Sequence, residues 1–194
     1  MTPQELISET YSCDAMRPTV VTSSFGNYSA VLLHMVTRFE PNTLVLWVDT
    51  QFNLTTTLKF KQRLYERLNL NLVTYVGKPW VGEIPLVDSP EHDRFVEQVK
   101  LEPFRRAVND IHPASWITGI RREQTDYRKT IQHVEKVDDL IKVCPLLDWT
   151  TAQLEAYIDL YDLPNESNYF DPTKIYDYRE CGMHTTTLRL PHAS

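Results

Sequence analysis

The chain has 194 residues, 42% of them hydrophobic and 24% charged, and a formal net charge of −6. Those figures fit one globular domain, residues 1–194, with its own core, and they argue against a general affinity for nucleic acid while allowing cations to gather at one site. No signal-peptide pattern and no apolar run of the roughly 18 residues needed for a membrane span is visible, so a soluble cytoplasmic protein without membrane contact is expected.

Residues 1–18 are polar, with Pro3 and Pro18, and read as a lead-in helix and linker. Cys13 lies there and reads as incidental; with Cys144 and Cys181 it makes three widely spaced cysteines, which suit reduced thiols and are too few for a four-cysteine iron–sulfur cluster within the chain. The β-branched run 19–22 is expected to be a buried strand, broken by the polar loop Ser23-Ser24-Phe25-Gly26-Asn27. From Tyr28 the residues Val31, Leu32, Met35, Val36 and Phe39 recur at helical spacing, so the loop sits on a helix N-terminus. Free N–H groups and the helix dipole there favour a phosphate or sulfate, with hydroxyls from Ser23, Ser24 and Ser29 as further donors; an N-capped crossover without a ligand is the plainer reading. No Gly-Lys-Ser/Thr follows, so this is not a Walker loop.

A second apolar strand, 43–48, ends in Asp49, which either meets a ligand on the strand rim or caps a turn. Helix 54–68, with Leu58, Leu64, Tyr65 and Leu68 inward, and strand 72–76 complete a βαβαβ pattern. Residues 77–90 hold two glycines and three prolines and form a surface excursion. A helix from 91 reaches Lys100 and is interrupted or restarted by Pro103; Lys100, Arg105 and Arg106 read first as a solvated face. A fourth strand, 114–120, delivers Arg121, Arg122, Gln124, Arg128 and Lys129 to the rim. Arginine forks match phosphate and sulfate oxygens in pairs, so a polyanionic small molecule is the expected guest, against an exposed basic loop as the alternative. A fifth strand is expected at 143–147, with Cys144 in the core, followed by a helix from Asp148-Trp149-Thr150 that turns Leu154, Tyr157, Ile158 and Tyr161 inward. The tail 164–194 lacks periodicity and is expected to drape over the rim. Within it Cys181, between Arg179 and His184, has company that favours a thiolate. The fold expected is α/β, a doubly wound, mostly parallel sheet of about five strands with helices on both faces.

These pieces resemble the sulfonucleotide reductases, specifically the 3′-phosphoadenylylsulfate reductases of the adenine nucleotide α-hydrolase-like, or PP-loop, superfamily. The resemblance runs from about residue 20 to residue 187 and rests on six motifs in order. They are Ser23-Ser24-Phe25-Gly26, Asp49-Thr50, Lys100-Leu101-Glu102-Pro103, Trp116-Ile117-Thr118-Gly119-Ile120-Arg121-Arg122-Glu123-Gln124 with Arg128, Pro145-Leu146-Leu147-Asp148-Trp149, and Glu180-Cys181-Gly182-Met183-His184.

The resemblance implies reduction of 3′-phosphoadenylylsulfate to sulfite and adenosine 3′,5′-bisphosphate. Cys181 would attack sulfur, with Glu180 and His184 beside it, and thioredoxin or glutaredoxin would release sulfite from the S-sulfonate. Ser23, Ser24, Phe25, Gly26, Ser29 and Asp49 would hold the nucleotide; Lys100, Arg121, Arg122, Gln124 and Arg128 would face its anionic groups. Leu101-Glu102-Pro103-Phe104 stands where the adenylylsulfate reductases carry paired cysteines, so no cluster and no metal is expected. A homodimer is a frequent habit of the family. Asn27 stands where ATP-using relatives have Asp, and Asp49-Thr50-Gln51-Phe52-Asn53 departs from the family's Asp-Thr-Gly. Gly182 and His184-Thr185-Thr186 also match an earlier family segment, so either the tail is shortened and Cys181 attacks, or Cys181 is a local substitution; the match of Arg179, Glu180, Gly182 and His184 favours the first. The competing functions are an ATP-dependent adenylation or sulfur-transfer enzyme and a nucleotide-binding regulator without turnover.

Overall fold

The computed structural model describes the chain except for Asp88, residues 175–179, Cys181, residues 185–189 and residues 191–194. The lead-in is a helix, α1 (Pro3–Ser12), started by a Thr2–Glu5 capping box and buried through Leu6 and Ile7. Strand β1 (Thr19–Thr22) is followed by α2 (Ser29–Phe39), β2 (Leu44–Asp49), α3 (Thr55–Leu68) and β3 (Asn71–Val76). A long helical excursion comes next, built from α4 (Pro90–Val96), a π turn at Glu97–Leu101 and α5 (Glu102–Ile111). Then come β4 (Ser115–Ile117), a hairpin of β5 (Val134–Val137) and β6 (Leu140–Val143), and α6 (Thr151–Tyr161).

The sheet order is β3-β2-β1-β4-β6-β5. Every pairing is parallel except that of β5 with β6. Continuous apolar strands demand cover on both faces. Helices α1, α2, α3 and α6 supply it on one side, around Ile7, Leu33, Val36, Phe60 and Leu154, and α4 and α5 on the other, around Phe95, Val99 and Phe104. Among the described residues no helix is long and apolar enough to cross a membrane.

The sheet therefore has six strands where about five were expected, and the expected fifth strand at 143–147 is displaced. Val143 ends β6, and beyond it Pro145 has no N–H with which to continue a ladder. Cys144 and Leu147 instead bury themselves with Ile120 and Ile131 in a small cluster of their own. The hairpin escaped the pattern because its short strands carry Glu135, Lys136 and Lys142 among few apolar residues and β5 is a sheet edge; Asp138, left-handed at φ 53°, makes the turn. The fourth strand is only three residues long. One helix is rotated from expectation: in α3 the buried stripe is Thr57, Phe60 and Leu64, leaving Leu58 and Tyr65 exposed. In α2 the expected face, Val31, Leu32, Met35 and Val36, is buried, and only Phe39 at its end is exposed.

The excursion is one continuous helical rod with a wide turn in it. Glu102 N–H reaches back to the Glu97 carbonyl, five residues away, because the ring of Pro103 would collide with the carbonyl four residues before it in an ordinary helix. That turn rotates Lys100 inward, where it is buried.

Candidate active site

Strands β1, β2 and β3 lie on one side of the sheet's midline and β4, β6 and β5 on the other, so the chain reverses direction across the β1/β4 boundary. Loops leaving two neighbouring strands in opposite directions open a crevice at their carboxyl ends. Here it is a cavity of about 550 Å³, within the usual range for small-molecule sites.

The loop after β1 forms the floor. Ser23 N–H continues the pairing to the Leu46 carbonyl at 3.2 Å, and Ser23 Oγ accepts the Phe25 N–H at 3.0 Å, which turns the chain. Phe25 is left-handed at φ 51° and its ring is fully buried, edge-on to Trp47 with centroids 5.9 Å apart, so it anchors the loop. A Cβ on Gly26 would lie 2.9 Å from the Tyr169 ring, which only glycine permits. Tyr28, left-handed at φ 64°, gives its N–H to Asn165 Oδ1 at 2.8 Å and offers α2 no side-chain cap. Ser29 Oγ lies buried at this helix start with no hydrogen-bond partner, on the cavity wall. An uncapped positive helix end beside an unsatisfied hydroxyl suits an anion.

The loop after β4 forms the cationic wall. Buried Arg121 pairs with Glu123, reaches the Trp149 carbonyl and Thr151 Oγ1 at 3.3 Å each, and lies 5.7 Å over the Tyr28 ring. Gln124 Oε1 accepts both the Arg121 N–H, at 2.9 Å, and an Arg128 Nη1 hydrogen. Arg128 forks onto Glu180 through Nε at 2.7 Å and Nη2 at 3.0 Å, and Thr125 Oγ1 donates to the same carboxylate at 2.5 Å. Burial pushes the Glu180 carboxyl up, but the Arg128 and Thr125 contacts outweigh it and hold the group below its ordinary range. On the opposite wall Lys100 Nζ donates to Asp171 Oδ2 at 2.5 Å and to Thr173 Oγ1 at 3.1 Å. Lys174 also lines the cavity.

His184 stacks on Trp116 with centroids 5.2 Å apart and planes 16° from parallel, and Trp116 Nε1 is fixed to Thr22 Oγ1 at 2.7 Å. Its Nδ1 is buried without a partner. Burial, and next the charge of Arg128, hold its pKa well below the ordinary 6.5, so the ring is neutral at pH 7.

Of the residues singled out in the sequence, Ser23, Ser24, Gly26 and Ser29 line the floor, and Lys100, Arg121, Gln124, Arg128 and His184 line the walls. Four others stand elsewhere. Phe25 is the anchor just described. Asp49 takes the turn role: its Oδ1 accepts from Gln51 N–H at 2.8 Å and Asn53 Nδ2 at 2.7 Å. Glu180 braces Arg128 from behind. Arg122 points away from the cavity, binding Asp148 Oδ1 at 2.5 Å and the carbonyls of Lys129 and Ile131 at 3.0 and 2.5 Å. Cys181 lies outside the described residues. Buried Cys144 has its thiol pushed up to about 12 by burial and takes no part. The residues that sequence reasoning missed are Asn165, Tyr169, Asp171 and Lys174. They belong to a segment with no periodicity, and no local signal shows that Asn165 receives a hydrogen bond from a residue 137 positions earlier.

A doubly wound sheet whose switch point opens into a cation-lined cavity makes this an α/β protein of the adenine nucleotide α-hydrolase-like fold. The sequence model of the phosphoadenosine phosphosulfate reductase domain matches residues 18–182, and the chain belongs to that family. A phosphoadenosine 5′-phosphosulfate reductase of Synechocystis is 34% identical over 176 residues, covering 84% of this chain and 68% of that protein. One from Xylella fastidiosa is 35% identical over 156 residues, covering 74% and 64%. The chain thus spans about two thirds of the length of these curated relatives. Among solved structures, the phosphate complex of a phosphoadenylyl-sulfate reductase from Candida auris superposes with a TM-score of 0.72 at 23% identity, over 86% of this chain and 82% of that one. An ATP complex of the Candida glabrata FMN adenylyltransferase gives 0.58 at 16% identity, over 81% and 52%, and shares the fold.

Proposed function

We propose that the chain reduces 3′-phosphoadenylylsulfate to sulfite and adenosine 3′,5′-bisphosphate. The observation that supports this most is the cavity itself. A helix N-terminus with an unsatisfied serine hydroxyl faces Lys100, Arg121 and Arg128 across a space of about 550 Å³ in a member of this family. Cations and helix dipole would hold the phosphosulfate and stabilise the charge that collects on the leaving phosphate. In this reading the Cys181 thiolate attacks sulfur, the bond from sulfur to the phosphate oxygen breaks, and the electron pair leaves with the bisphosphate. A dithiol reductant of the thioredoxin or glutaredoxin class then attacks Cys181 Sγ; sulfite departs with the bonding pair, and the reductant's second thiol resolves the mixed disulfide. His184, neutral and against the site, sits among the cations without adding a charge of its own.

Intact mass spectrometry tests it directly. Incubated with 3′-phosphoadenylylsulfate and no reductant, the wild type should gain the mass of one sulfonate and Cys181→Ser should gain nothing. Nucleotide binding without an adduct would instead favour a binding protein that lacks the chemistry. Pyrophosphate release from ATP would favour the adenylating class.

A further inference from the structure

Among the described residues, three of the cavity's cations pair with carboxylates: Arg121 with Glu123, Arg128 with Glu180 and Lys100 with Asp171. Glu123 and Glu180 stand outside the cavity wall, whereas Asp171 is part of it. Its side chain is 8% exposed and that of Lys100 10%, so the pair is shielded from bulk water. The carboxylate is also held from its own side. Thr173 donates its N–H at 3.0 Å and its hydroxyl at 2.5 Å to Asp171 Oδ1, while Oδ2 faces Lys100. Both oxygens already have donors, so Asp171 has little left with which to recognise a sugar hydroxyl or a base. What it does supply is a negative charge inside a site built for negative charge.

We infer that Asp171 is an internal competitor that neutralises Lys100 until a ligand's phosphate or phosphosulfate oxygens replace it; the identity of that ligand rests on the function proposed above. Two anions on one lysine in a partly desolvated cavity repel each other, so the ligand and Asp171 exclude one another there. The exchange is local. The strap that carries Asp171 is pinned upstream of it, by Asn165 to Tyr28 N–H at 2.8 Å and by the Asn168 carbonyl to Thr56 Oγ1 at 3.3 Å, and these ties do not involve Lys100. Turning Asp171 and Thr173 aside leaves them intact. The contact therefore sets a threshold: an anion occupies the cavity only if it binds Lys100 better than the carboxylate already tethered there.

The test is calorimetric titration of wild type and Asp171→Asn with adenosine 3′,5′-bisphosphate and, separately, with inorganic pyrophosphate. The variant should bind both about tenfold more tightly, as expected when a state populated at about a tenth becomes the ground state. Equal or weaker binding by the variant would overturn the inference and make Asp171 a residue that positions Lys100, with the proposed function untouched. Tighter binding of pyrophosphate without any binding of the bisphosphate would leave the competitor standing and remove the nucleotide. No binding of either anion to either protein would overturn the competitor as well. Should Asp171→Asn fail to fold, hydrogen exchange on the wild type decides. The Thr173 amide, bonded to Asp171, should exchange faster when pyrophosphate saturates the protein, and unchanged or slower exchange would overturn the inference.

Discussion

Arg128 commits all three nitrogens of its guanidinium to Glu180 and Gln124, so what reaches the cavity is positive charge fixed in place. Breaking such a buried pair from one side strands the other charge. Arg128→Met should therefore cost roughly 3–5 kcal/mol in urea unfolding, and adding Glu180→Met should recover most of it. The same pair shapes the acid limb. Glu180 has its folded pKa held below the ordinary 4.5, so its stabilisation is complete above that value and is lost as pH falls through the folded one; the double variant should unfold less steeply there. His184 acts higher up. Its folded pKa lies well below 6.5, so below that pH the unfolded chain takes a proton that the folded one refuses, and stability falls with falling pH. His184→Asn should flatten urea-unfolding stability measured between pH 6.5 and pH 5. At Gly26 the prediction is steric: Gly26→Ala must displace Tyr169, costing about 1–3 kcal/mol and loosening the loop that faces the ligand.

Lys100 reaches the cavity because one helical turn is too wide, not because the helix as a whole is aimed there. Deleting Glu97 should restore α-helical register and swing Lys100 aside, weakening bisphosphate binding at least about tenfold while far-UV circular dichroism stays unchanged. Arg122 makes the same point for a loop. It joins the Arg128 segment to Asp148, which His133 also meets at 2.8 Å. This element-level geometry limits what the sequence could disclose. Strand β1, its serine loop and the arginines after β4 were legible because each depends on neighbours in sequence: a β-branched run, a helical period, a basic cluster at a strand end. The π turn depends on a clash between Pro103 and a carbonyl, and Arg122's direction depends on carbonyls seven and nine residues away. The hairpin of β5 and β6 carries a pattern of charges that reads as loop until its place at the sheet edge is known.

The molecule as a whole is acidic, at −6, yet Lys100, Arg121, Arg128 and Lys174 meet at the crevice that the strand order creates. Saturating that crevice should stabilise the entire sheet, since both halves meet there. Adenosine 3′,5′-bisphosphate at a hundred times its Kd should raise Tm by roughly 5–10 °C, read by calorimetry. How the crevice is finished has a consequence for biosynthesis. The amide of Tyr28 finds its partner in Asn165, and Gly26 its cover in Tyr169. A nascent chain that has left the ribosome only as far as Leu163 holds every strand of the sheet, but the floor of its crevice still waits for the segment that caps it. Competence to bind the ligand should thus appear late in translation, after the sheet has formed and in the time needed to add about ten more residues.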